Sequence, residues 1–337
     1  MIKVKYLHGW QLTLVVLIGM ELLIFGTINP RFVNINNLLY SIGDFLYIAI
    51  AALPMTMIIV SGGIDISIGS TMGLCAVVTG LVWIGTSNIW LAILAGLAVG
   101  AMAGALNGLL IIVTQVNPLV ITLGSSFLYA GAALTLSGLA GSTGFEGIGG
   151  FPDSFVNIVN GTILSIPKPV WLLLVFSAFF YTLLHYTKFG RYLFLIGMNV
   201  AASKYTGIKA ERLIIMNYMI SGIGGAIGGI LLTSYFTSAR SDLGADAPLT
   251  VITCVVLGGA NIYGGEGKII GTILASLLIG YLKYGLQMVN ITAHQTNVFL
   301  GLLLIMSISG VYFWEKYNDR YKNKRVFNLL RTRRTFD

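Results

Sequence analysis

The sequence predicts an all-α polytopic membrane protein of about ten transmembrane helices, and three observations carry that prediction. Only 9% of the 337 residues are charged and 56% are hydrophobic, whereas a soluble domain carries about 25% charged residues because its surface faces water. Ten apolar stretches approach or reach the roughly 20 residues that a helix needs to cross the hydrocarbon core. Basic residues gather in some of the intervening segments and are nearly missing from the others, the asymmetry expected between cytoplasmic and external loops.

The predicted spans cover residues 10–28, 38–60, 65–85, 89–113, 118–139, 169–186, 212–237, 247–261, 267–289 and 295–314. The first follows Lys3, Lys5 and His8. It is longer than a signal-peptide core of about 7–15 residues and no A-x-A cleavage site follows, so it reads as a retained helix. The second and third spans are nearly continuous and the eighth is short, so hydropathy alone leaves the count open by one. Loop charge resolves it. With the N-terminus inside, ten spans place Lys188, Arg191, Lys204 and Lys209 of the 187–211 loop inside. The tail falls inside too, with Lys316, Arg320, Lys322, Lys324, Arg325, Arg331, Arg333 and Arg334. The external loops keep only Arg31, Lys168 and Arg240. One span more or fewer would put a basic segment on the wrong side. The expected organisation is a membrane domain, 1–315, and a basic cytoplasmic tail, 316–337, with both termini inside.

Glycine is abundant within the spans. Gly96, Gly100, Gly104 and Gly108 recur every four residues, as do Ser221, Gly225 and Gly229. That spacing clears one helix face for a neighbouring backbone. Two Gly-rich segments, Gly62–Gly69 and Gly258–Gly265, each sit between closely spaced spans and hint at an internal repeat, a common transporter feature.

The sequence also excludes several function classes. No G-x-x-x-x-G-K-[ST] occurs; the nearest run, Gly264-Gly265-Glu266-Gly267-Lys268-Ile269, fails after the lysine. GxSxG, HExxH and paired catalytic carboxylates are missing as well. His8, His185 and His294 lie far apart, Cys75 and Cys254 fall inside apolar spans as packed thiols, and no metal site is expected. The net charge of +8 belongs to membrane-flanking loops, so nucleic acid is not an expected partner. An ion-coupled carrier needs ionisable groups deep in its helices. Glu21 is the one acid well inside a predicted span, with Asp44 near the start of the second; Asp65, Asp242, Asp246 and Glu266 fall at span ends or in loops. That is thin for a proton or sodium path and favours energy supplied from outside the membrane domain.

The 187–211 loop is the most informative soluble stretch. Asn199 suits a helix N-cap, Val200 to Thr206 contains good helix formers, and Gly207 suits the left-handed residue that ends a helix. The loop therefore predicts a short helix lying along the membrane, either a plain connection or a knob that a partner grips.

This loop resembles the coupling loop of ribose-type ABC importer permeases. The shared order is Gly190-Arg191, Ile196-Gly197, Asn199, Ala201-Ala202 and Gly207-Ile208. Val60–Ser70, Asn117–Gly124 and Val256–Gly265 are also similar to that family, over residues 10–314 in all. Phe145–Pro152 and Ser234–Ala245 resemble most the members that import a small furanose-like signal, while Asp246–Leu249 departs from their pattern.

The resemblance implies a type II importer bundle in the bacterial inner membrane. Its partners would be a second, related but different permease chain, an ATP-binding subunit that carries the ATP and Mg, and a periplasmic substrate-binding protein. The chain would itself be no enzyme and hold no cofactor. The implied ATPase-docking residues are Gly190, Arg191, Gly197, Asn199, Ala201, Ala202, Lys204, Thr206 and Gly207. Candidate path residues for a small uncharged solute are Asp65, Asn107, Asn117, Ser125, Ser126, Asn217 and Asn261. Glu146, Arg240 and Asp242 are candidate contacts for the binding protein. Alternative readings are a permease for ribose, galactose or xylose, and an ion-coupled carrier acting alone; co-purification of an ATPase separates the last from the rest.

Overall fold

The computed structural model describes residues 3–142, 147–292, 295–303, 305–306 and 309. The elements run α1 (Lys3–Ile28), α2 (Ile35–Val60), α3 (Ile68–Thr86), α4 (Ile89–Thr114), α5 (Pro118–Leu139), α6 (Asp153–Asn160), β1 (Thr162–Ile163), β2 (Ile166–Pro167), α7 (Lys168–Tyr186), α8 (Lys188–Met198), α9 (Val200–Tyr205), α10 (Ala210–Phe236), α11 (Ala247–Leu257) and α12 (Ile269–Met288). Among the described residues, eight helices are long and apolar enough to cross a membrane. They match eight predicted spans to within a few residues. The predicted eighth span is α11, which ends at Leu257 instead of 261. Helical backbone over 295–303 begins the tenth; most of that span beyond 303, and the basic tail, lie outside the described residues.

The helix starts follow from their caps. Asn34, Asn88 and Asn117 each accept a hydrogen bond from the free amide of a first-turn residue, Asn36, Trp90 and Leu119 respectively. Pro118, which has no N–H to satisfy, opens α5.

Helix α2 is the centre of the bundle: 89% of its apolar window is buried, against 17% for α1 and 22% for α5. It touches α7, α10, α11 and α12, while α10 also lies along α3 and α4. The glycine faces make these contacts. A Cβ on Gly104 would meet the backbone of Tyr218, one on Gly108 would lie 2.7 Å from the Cα of Ile215, and Gly100 and Gly222 face each other backbone to backbone. Gly225 and Gly229 receive Thr71 and Met72 of α3 in the same way. Helices α1 and α5 are peripheral, with Leu23, Phe127 and Leu139 among their exposed apolar side chains.

Two parts of the chain read as loop carry structure. The 187–211 loop holds two helices, not one, because Gly190, Leu193 and Ile196 form a buried face on α8. The 140–168 loop contains α6 and the β1–β2 hairpin. Its segment at Ile148 exchanges two 2.8 Å backbone hydrogen bonds with Ala239, and Trp83 Nε1 donates to the Gly150 carbonyl at 3.0 Å.

Candidate functional site

The first candidate element is the α8–α9 hairpin. Thr187 Oγ1 accepts the Gly190 amide at 3.2 Å and starts α8. Asn199 is extended, ends α8, and its side chain accepts the Ala202 amide at 2.9 Å to start α9. Gly207 then takes φ +78°, and the Ile208 amide reaches back to the Ser203 carbonyl at 3.3 Å, closing the helix in the left-handed cap expected. Arg191, Asn199, Ala201, Ala202, Thr206 and Gly207 are exposed on this hairpin, Gly190 is buried and Gly197 half-buried. Lys204 lies in α9, with its side chain outside what is described. Met198, Val200 and Tyr205 add exposed apolar surface, Tyr205 at 92%.

Behind the hairpin, three backbone segments converge. The Gly265 amide donates to the Val60 carbonyl at 2.8 Å, and Gly197 lies directly on that bond, where a Cβ would strike both partners. Gly62 and Gly264 approach each other beside it, at φ +83° and +89°. The two Gly-rich segments thus meet in space. They also end their helices alike: Gly62 and Gly259 (φ +91°) are the left-handed caps of α2 and α11, and Gly63 and Ala260 donate back to Ile58 and Val255. The shared feature of the two segments is this cap, and it falls one residue away from the simple Gly-Gly alignment. Trp10 of α1 braces the second cap, donating to the Leu257 carbonyl at 2.8 Å.

The third element is a buried polar network next to the first cap. Asp65, read as a span-end acid, is only 2% exposed. Its carboxylate accepts from Ser67 Oγ at 2.6 Å, the Ser67 amide at 3.1 Å and Ser221 Oγ of α10 at 2.8 Å. Asn107 of α4 donates to Ser67 Oγ at 2.8 Å and accepts from Tyr129 of α5 at 3.0 Å. Thr122 Oγ1 accepts the Ile66 amide at 3.2 Å, and Tyr218 donates to the Ile64 carbonyl at 3.3 Å. Asp65 and Asn107 are therefore brought together, with Ser125 buried alongside on α5. Asn217 is buried elsewhere, donating to the Met57 carbonyl and Ser61 Oγ, both at 3.0 Å. Asn117 caps α5, Ser126 bonds its own helix at the Leu123 carbonyl, and Asn261 holds the turn at Tyr263. Sequence reading missed Ser67, Thr122, Tyr129, Tyr218 and Ser221. Only Ser67 had a local signal, since Asp-x-Ser is an Asx-turn spacing.

On the opposite end, Arg240 Nε and Nη2 grip both carboxylate oxygens of Asp242 at 2.8 and 2.6 Å. The guanidinium holds the Asp242 carboxyl below its ordinary range. Glu146 lies outside the described residues.

Eight helices long and apolar enough to cross a membrane, packed around a buried polar centre with an exposed hairpin at the basic end, define a polytopic membrane protein. The comparisons place it further. Residues 37–308 match the family model described as branched-chain amino acid transport system / permease component, and the chain belongs to this permease family. It is 52% identical over 303 residues to the autoinducer 2 import system permease protein LsrD of Photorhabdus temperata, covering 90% of this chain and 91% of that one. The LsrD proteins of Enterobacter sp. (strain 638) and Escherichia coli (strain K12) are 49% and 50% identical, each covering 90% of this chain and 92% of theirs. No solved structure matches.

Proposed function

We propose that this chain is one of two permease subunits through which autoinducer-2, a small furanose-like signal, enters the cytoplasm on energy from ATP hydrolysed by a partner. The observation that carries the reading is identity of about half over nine-tenths of the chain to permeases named for that import. In this reading residues 1–315 form the membrane domain, with both termini and the α8–α9 hairpin in the cytoplasm, where basic loops belong. The hairpin is the ATPase-docking element. Its exposed Met198, Val200 and Tyr205 offer apolar anchors of the kind interfaces bury, and the cap geometry at Asn199 and Gly207 holds its shape. Arg240 and Asp242 face the binding protein on the other side. Asp65 and Asn107 line the inner part of the path once the helices around them part, and hydroxyls and amides gathered around one hydrogen-bonded carboxyl suit an uncharged solute.

The test is deletion of the gene in its host, following loss of autoinducer-2 from the medium and uptake of labelled ribose in the same cells. Slowed signal removal with unchanged ribose uptake is the expected result. Loss of ribose entry with normal signal removal would leave the architecture and overturn the substrate.

A further inference from the structure

A cavity of about 290 Å³ opens on the side opposite the hairpin, between the start of α2, α6, the β2–α7 corner and the outer ends of α10 and α12; Asn37, Tyr40, Asp44, Asn160, Tyr235 and Tyr284 supply its polar lining. Asp44 is the unexpected member. From Ser41 onward α2 is almost wholly buried, yet Asp44 is exposed, because the cavity reaches its side chain. A carboxylate in an apolar span is costly unless water or a partner meets it. Here Tyr235 donates to Oδ1, which leaves the second oxygen free to accept. The Asn160 amide NH2 gives one hydrogen to the Ser234 carbonyl at 3.2 Å, so its oxygen and its second N–H are the groups it can offer. Tyr284 is held by stacking on Phe32 at 5.4 Å, and Tyr40 is 56% exposed.

These groups share one recognition chemistry. A carboxylate and amide oxygens accept hydrogen bonds from hydroxyls, phenol O–H groups donate to ring and carbonyl oxygens, and tyrosine faces cover the C–H side of a small ring. Among the described residues no lysine or arginine lines the cavity, so none of them offers an anion a counter-charge there. The volume lies at the bottom of the roughly 300–1,000 Å³ range of ligand pockets, which fits a solute of five or six carbons and not an oligosaccharide. We infer that this cavity is a receiving site for a neutral polyhydroxylated solute on the outer face of the permease, occupied after release from the binding protein and before passage inward. The inference rests on the import reading above for its direction.

The test uses thiol protection in intact cells that carry the complete importer. Both native cysteines, Cys75 and Cys254, are buried, so Asn160→Cys presents the one accessible thiol among the described residues to a membrane-impermeant, charged methanethiosulfonate. The probes are the linear dihydroxy-dione that cyclises to autoinducer-2, and ribose. At ten times its dissociation constant a probe leaves about one site in eleven free, so labelling should slow roughly tenfold. A second change, Asp44→Asn, should abolish that protection with the melting temperature of the purified complex preserved, because the amide oxygen still accepts from Tyr235. No labelling from outside, or labelling that the dione does not slow, would overturn the cavity as a solute site and leave the importer reading intact. Protection by ribose, with ribose imported and the dione ignored, would keep the cavity and overturn the autoinducer-2 assignment.

Discussion

Gly197→Ala tests the convergence behind the hairpin with one methyl group. The new Cβ would fall on the Val60 carbonyl and within 2.5 Å of the Gly265 nitrogen, the two atoms of the bond that ties the Gly-rich segments together. Forcing a methyl into a closed backbone contact costs about 1–3 kcal/mol, and a buried amide left without its acceptor costs about 1–3 kcal/mol more. The backbone cannot move away freely, since Gly62 and Gly264 already touch on the far side. The expected outcome is a lowered melting temperature of the purified complex together with reduced solute uptake. Gly207→Ala is the matched control. It has open space around it but φ +78°, so its cost is the left-handed penalty of about 1–2 kcal/mol, confined to the exposed cap. If Gly197→Ala melted like wild type and supported normal uptake, the convergence would have no mechanical role.

Gly207→Val should weaken co-purification of the ATP-binding subunit, while Gly207→Asn, which tolerates the left-handed region, should retain more of it. Asp65→Ala strands the hydroxyls of Ser67 and Ser221 and should destabilise the protein by about 1–3 kcal/mol per unmet group; Asp65→Asn keeps an acceptor and should cost less in the same thermal melt. Gly104→Val drives a side chain into the α10 backbone at Tyr218 and should lower the melting temperature, whereas Gly131→Ala, with nothing within 4 Å, should be neutral or gain about 0.5–1 kcal/mol from helix propensity. The Arg240–Asp242 pair gives a pH signature. Because the folded carboxyl sits below its unfolded value of about 3.9, its stabilisation is present at neutral pH and disappears as pH falls through the folded value. Exposure keeps it under about 1 kcal/mol, so the melting difference of Asp242→Asn should be small at pH 7 and vanish in acid.

The spans were legible because one signal, apolar length, sets both their existence and their ends, and eight of the ten predicted spans are long apolar helices among the described residues. The glycine faces of α4 and α10 were legible for a similar reason: a four-residue repeat is a property of one helix, whatever it meets. Helix α8 was missed because Gly190 interrupts its apolar face and the flanking polar residues suggest a connection. The network at Asp65 was illegible for a different reason. Its partners Asn107, Tyr129 and Ser221 lie on three other helices, and nothing local to Asp65 distinguishes a span-end acid from one enclosed by the bundle.

The junction at Gly197 connects what the hairpin can feel to what the bundle encloses. Side-chain contacts absorb small displacements by changing rotamer, but a contact between backbones has no such freedom. Gly197 touches the end of α2 and the segment before α12 at once, so α8 abuts both without an intervening side chain. Beyond the α2 cap at Gly62, the chain reaches Asp65 within three residues, and there the carboxylate is bonded to Ser221 in the middle of α10. Helix α10 in turn lies against α4 along glycine faces that leave no side chain between the backbones to cushion movement. A short series of backbone contacts and hydrogen bonds therefore links the exposed hairpin to the polar centre. That is why single methyl groups at Gly197 or Gly104 are expected to act far from the hairpin's surface.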